Sequence, residues 1–144
     1  PVTNTKGETC YSMVKALVEH KVKVNVTAIM TLEQVRSVAD VLDAEVPSYV
    51  SVFAGRIADT GVDPVPLMTE AVSILTSKPA AELIWASPRE LLNIFQANEI
   101  GCHVITVTND ILKKLALVDY DLTEYSLDTV KMFYNDAVSA GFKL

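Results

Sequence analysis

Three stretches decide the fold: VKVNVTAIMT (residues 22–31), YVSVFAGRI (49–57) and ELIWASPRE (82–90). Each begins as a hydrophobic, largely β-branched or aromatic run, which favours a buried strand. Each then turns polar at its carboxyl end: Asn25 and Thr27 in the first, Ser51 and Arg56 in the second, Ser87 and Arg89 in the third. In a parallel barrel, side chains at the carboxyl ends of the strands project into one shared mouth, where the chemistry of that architecture sits. Two arginines with several hydroxyl and amide groups suit a phosphorylated, hydroxyl-rich ligand. A guanidinium fork matches phosphate oxygens, and Ser, Thr and Asn both donate to and accept from sugar hydroxyls.

Outward from these runs, helix and strand signals alternate, which favours a parallel α/β arrangement. Residues 8–20 place Met13, Val14, Leu17 and Val18 on one helical face. Thr31 followed by Gln34 has capping-box spacing, and Val35, Val38 and Leu42 continue a buried stripe. Strands are expected near residues 22–30, 49–54, 83–86 and 103–107, parallel and adjacent in that order. Asp63 is expected to cap a helix beginning at Pro64, and Ser87-Pro88-Arg89-Glu90 reads as a second capped helix start. Ser126 is expected to open a last helix over residues 126–140, with Leu127, Val130, Phe133, Tyr134 and Ala137 spread over a stripe wider than one neighbour covers. The whole reads as one partial-barrel domain over residues 1–144.

The chain has 144 residues, whereas a complete eight-stranded barrel takes ~250. Pro1 is compatible both with a removed initiator methionine and with an internal cut. Half the residues are hydrophobic, yet no uninterrupted apolar run reaches the ~20 needed to span a bilayer, so no membrane association is expected. A net charge of −6 gives no electrostatic reason for a nucleic-acid partner. Cys10 and Cys102 have neither the number nor the spacing of a disulfide framework or zinc site, and no secretory signal opens the sequence. A cytoplasmic protein without metal or cofactor is the expectation.

The motifs N-V-T (25–27), S-V-F-A-G-R-I (51–57) and A-S-P-R (86–89) resemble, in order and spacing, the strand-end motifs of the transaldolase and fructose 6-phosphate aldolase group of class I aldolases. The resemblance covers nearly the whole chain. It implies an α/β fold of the (β/α)8 TIM-barrel family, here about half of the barrel: strands five to eight with their helices, preceded by the helix after strand four. In that family a lysine on strand four forms a Schiff base with a ketose. Pro1-Val2-Thr3 resembles the segment just after it, so the matching lysine is expected just upstream of Pro1.

The resemblance further implies that Asn25 contacts the hydroxyl-bearing carbons of the substrate and Thr27 positions a catalytic water. Ser51 would bond the ketose, Phe53 would shape the pocket wall, and Arg56 with Arg89 would form a phosphate clamp. Ser87 stands between two readings, a substrate contact and a plain helix cap. Asp59 reads as a turn former, Trp85 as core, and neither His20 nor His103 has a partner spaced for catalysis. Lys23 sits toward the amino end of its strand, the stability face of a barrel. The implied activity is transfer of a dihydroxyacetone unit from a ketose phosphate to an aldose phosphate, in the carbohydrate metabolism of the pentose phosphate pathway. The alternatives are a fructose 6-phosphate aldolase, or a catalytically silent half-barrel that binds sugar phosphate or a partner. Open strand edges imply a homo-oligomer or association with the missing half of the barrel.

Overall fold

The computed structural model describes residues 1–143 as two compact units, the first ending at Leu112. In the first unit, α1 (Tyr11–Glu19), β1 (Asn25–Ile29), α2 (Leu32–Val41), β2 (Ser48–Val52), α3 (Ala54–Asp59), α4 (Val65–Leu75), β3 (Ala81–Trp85), α5 (Leu92–Glu99) and β4 (Val104–Ile105) follow one another. α6 (Asn109–Lys113) runs across the boundary. The strands form one sheet in the order β1-β2-β3-β4, and every pairing is parallel, as the sequence predicts.

Strand register separates two faces. Val26 pairs with Val50, and Val52 with Trp85; these residues are buried, with Leu83, against Val35 and Val38 of α2 and Met68 and Ala71 of α4. Because side chains alternate along a strand, Asn25 and Ser51 lie on the opposite face. α2 starts as expected: the Thr31 hydroxyl accepts from Gln34 N–H while Gln34 Oε1 accepts from Thr31 N–H. α1 divides its apolar stripe. Val14 and Val18 enter the core, whereas Met13 and Leu17 stay exposed and border, with Val22 and Val24, a cavity of about 230 Å³. Trp85 fills the core, although its indole N–H has no hydrogen-bond partner among the described residues.

Several local expectations need correction. Arg56 does not stand at a strand end: β2 stops at Val52, and the six residues Ala54–Asp59 form α3, too short to show a helical period. Ser87 caps no helix. Its backbone is left-handed, at φ 62°, and α5 begins only at Leu92. The N–H groups of Arg89 and Glu90 are instead taken by Asn93 Oδ1, at 2.8 and 3.1 Å. α4 begins at Val65, with Asp63 Oδ1 accepting its N–H, one residue later than expected. β4 pairs through only Val104 and Ile105 rather than across 103–107. His103 adds a side-chain link, its Nδ1 accepting the Leu83 N–H at 3.0 Å.

The second unit holds a 3₁₀ turn (Lys114–Leu117) and α7 (Leu122–Ser139). α7 starts four residues before Ser126, because the Asp121 carboxylate accepts from Thr123 N–H and Glu124 N–H and so caps an earlier turn. Tyr120 packs edge-on against Tyr125 and donates its hydroxyl to Asp128. Leu127, Val130, Phe133 and Tyr134 of α7 are exposed. Among the described residues no helix is long and apolar enough to cross a membrane.

Candidate active site at the strand carboxyl ends

The carboxyl ends of all four strands border one cavity of about 470 Å³, within the range of small-ligand sites. Asn25, which opens β1 instead of ending it as expected, and Thr27, at its middle, come from β1; Ser51 and Phe53 come from the end of β2, and Ser87 and Arg89 from the segment after β3. Thr106 and Thr108, beyond β4, complete the wall. The structure thus brings together six of the seven residues singled out from sequence. Arg56 is the exception: its guanidinium lies over the Phe53 ring, 5.6 Å from the centroid, and it touches the site through that ring. Thr106 and Thr108 were missed, although I-T-V-T at 105–108 repeats the polar pattern of the other three runs.

Hydrogen bonds fix the polarity of the wall. Ser51 Oγ donates to Asn25 Oδ1 at 2.7 Å. With its oxygen engaged, Asn25 keeps two amide N–H donors, and Ser51 keeps acceptor lone pairs, so the pair offers both kinds of group to a hydroxylated ligand.

Two departures from ordinary backbone flank the cavity. Ala28 at φ 64° accompanies a break in the β1–β2 register between Val26 and Ile29, and Ser87 at φ 62° turns the chain after β3. Left-handed backbone is uncommon for residues other than glycine and concentrates at functional sites.

Arg89 supplies the positive charge. Its Nε donates to Asp59 Oδ1 at 2.9 Å and its Nη2 to Asp59 Oδ2, a two-point pair between α3 and the turn after β3. These bonds hold the Asp59 carboxyl below the usual aspartate range, against the opposing effect of desolvation, with the charges of Arg89 and Arg56 adding to the shift. The same bonds raise Arg89 further. No lysine lines the cavity among the described residues. Lys21 is held by Asp43, and Lys78 Nζ donates to Leu42 O. No group of three or more His, Cys, Asp or Glu side chains that could hold a metal occurs among the described residues.

Four parallel strands wound with helices, and a polar, arginine-bearing cavity at their carboxyl ends, define half of a (β/α)8 barrel of the aldolase kind. The chain belongs to the transaldolase/fructose-6-phosphate aldolase family, whose model matches residues 1–144. It is 30% identical over 132 residues to a probable transaldolase of Thermoanaerobacter sp. (strain X514), covering 91% of this chain and 57% of that protein. A probable transaldolase of Clostridium kluyveri is 31% identical over 116 residues, covering 80% and 51%. One of Methanococcus maripaludis is 29% identical over 116 residues, again covering 80% and 51%. The chain therefore spans about half the length of the curated relatives it matches.

Proposed function

We propose that these residues form the carboxyl-terminal half of a transaldolase that moves a dihydroxyacetone unit from a ketose phosphate to an aldose phosphate. The observation that carries this reading is the convergence of Asn25, Thr27, Ser51, Phe53, Ser87 and Arg89 on one cavity at the strand ends. In this reading a lysine amine just upstream of Pro1 adds to the ketose carbonyl and expels water to give an iminium. That group draws the electrons of the neighbouring carbon–carbon bond as it breaks, leaving an enamine and releasing an aldehyde. The enamine then adds to the acceptor aldehyde, and water frees the product and the amine. Thr27 positions that water, Asn25 and Ser51 bond the ketose hydroxyls, and Phe53 forms the wall. Ser87 and Arg89 take the phosphate, with Arg56 contributing charge from behind Phe53. The reaction needs no cofactor or metal. The protein works in the cytoplasm, either as a homo-oligomer or joined to the other half of the barrel.

Borohydride trapping with a ketose phosphate, read by mass spectrometry, tests the assignment. The 144-residue chain should form no reducible adduct, whereas a chain extended upstream through the lysine and the first three strands should form one. Arg89→Ala in the extended chain should weaken capture of the phosphorylated substrate roughly tenfold or more, the weight of a charge-assisted hydrogen bond. Trapping on the short chain, at Lys23 or any other lysine, overturns the assignment.

A further inference from the structure

Asp59 has no local task. The turn that ends α3 is closed by its neighbours: Thr60 Oγ1 donates to Ile57 O at 2.7 Å, and Gly61 takes the left-handed position at φ 82°. An acid at the carboxyl end of a helix also opposes the helix dipole. Its carboxylate instead reaches across 30 residues of sequence to Arg89. The edge it engages is the one formed by Nε and Nη2. Among the described residues the rest of the fork, Nη1 and the second Nη2 proton, has no partner, on a residue that lines the cavity.

The backbone makes this pairing rigid. Gly55 N–H bonds Ala86 O at 3.3 Å, and the α3 backbone approaches the turn after β3 so closely that a Cβ on Gly55 would lie 1.5 Å from Ser87 O. Arg89 is braced at its own N–H by Asn93. Both partners are thus carried by segments locked to each other, although the charged groups themselves are about half exposed.

The geometry points to Asp59 as a positioning residue for oxyanion capture: it holds the side edge of Arg89 so that the opposite edge is presented, already ordered, to the phosphate of the substrate. This inference rests on the reading of Arg89 as the phosphate contact. A free arginine must lose its rotamer freedom when it binds, and a braced one has lost it in folding. The negative charge of Asp59 works the other way, repelling phosphate, but at an exposed pair solvent and salt screen that repulsion. Ordering therefore prevails.

The test compares steady-state kinetics of the full-length enzyme, its Asp59→Asn, Asp59→Glu and Arg89→Ala variants, on fructose 6-phosphate and on fructose, with an unphosphorylated aldose such as glyceraldehyde as acceptor at fixed concentration and inorganic phosphate as a competitive inhibitor. Asp59→Asn should raise KM for fructose 6-phosphate and Ki for phosphate roughly fivefold, the ordering cost of one long side chain, with kcat and the fructose reaction unchanged. Asp59→Glu should recover part of the loss. An unchanged or tighter phosphate Ki in a folded Asp59→Asn enzyme overturns the positioning role while leaving Arg89 in place. If Arg89→Ala itself leaves the fructose 6-phosphate KM and the phosphate Ki unmoved, the phosphate reading fails first and the role of Asp59 falls with it.

Discussion

Gly55 lies against Ser87 so closely that a Cβ on it would sit 1.5 Å from the Ser87 carbonyl oxygen and 2.6 Å from its carbonyl carbon. Both atoms are backbone, so neither can swing away. Gly55→Ala should therefore force α3 and the turn after β3 apart, destabilising the fold by about 1–3 kcal/mol or more, as overpacked sites do. Urea unfolding measures this. A Gly55→Ala protein of unaltered stability would show that the two segments do not meet as described.

Ser51 and Asn25 share a 2.7 Å hydrogen bond between adjacent strands. Ser51→Ala leaves the Asn25 oxygen without its donor and should lower stability by about 0.5–1.5 kcal/mol. The Asn25 amide is then free to rotate, so affinity for the ketose should fall as well. A double-mutant cycle with Asn25→Ala should show coupling of the two residues; strict additivity would mean that they act independently.

Ala28 holds a left-handed conformation in β1. Such backbone costs a residue with a Cβ about 1–2 kcal/mol, and glycine's greater unfolded-state entropy costs about 0.5–1 kcal/mol. Ala28→Gly should thus stabilise the protein slightly, by about 0.5–1 kcal/mol, while Ala28→Val should destabilise it. Paired thermal melts of the two variants give the signs directly.

Asp59 is the acid most closely tied to the cavity. Its folded-state pKa lies below that of the unfolded chain because Arg89 bonds the charged form. The pairing therefore contributes fully above the ordinary aspartate range and is lost as pH falls through the lower, folded value. Wild type should outlast Asp59→Asn in melts at neutral pH, and the two curves should converge in strong acid. A gap that persists at the acid end would place the stabilisation elsewhere.

Strand order was legible because hydrophobic runs and turn residues are local signals, and the Thr31–Gln34 capping box was legible for the same reason. α3 was not. Ala54–Asp59 is shorter than two helical turns, and no periodic stripe marks it. Ser87 carried a convincing capping pattern, but its left-handed turn beside Gly55 hands the capping task to Asn93, from inside the helix. The cavity-lining residues could be named from the polar positions in the hydrophobic runs and from the motifs around them. Their mutual bonds could not, since Ser51 with Asn25 and Arg89 with Asp59 join segments 26 and 30 residues apart. Asp59 looked like a turn residue because nothing in the loop sequence around it records where Arg89 lies.

The short β4 has a kinetic meaning. β2 and β3 are tied by five residue pairs, but β3 and β4 by only two, together with the His103 ring on the Leu83 amide. Resistance to local opening should therefore decline toward β4, with the amides of β2 and β3 the slowest to exchange with deuterium and those of Val104 and Ile105 faster. Thr106 and Thr108 stand on that loosely fastened side. Asn25 and Ser51 stand on the side of the cavity fastened by more residue pairs, and the two threonines on the side fastened by fewer.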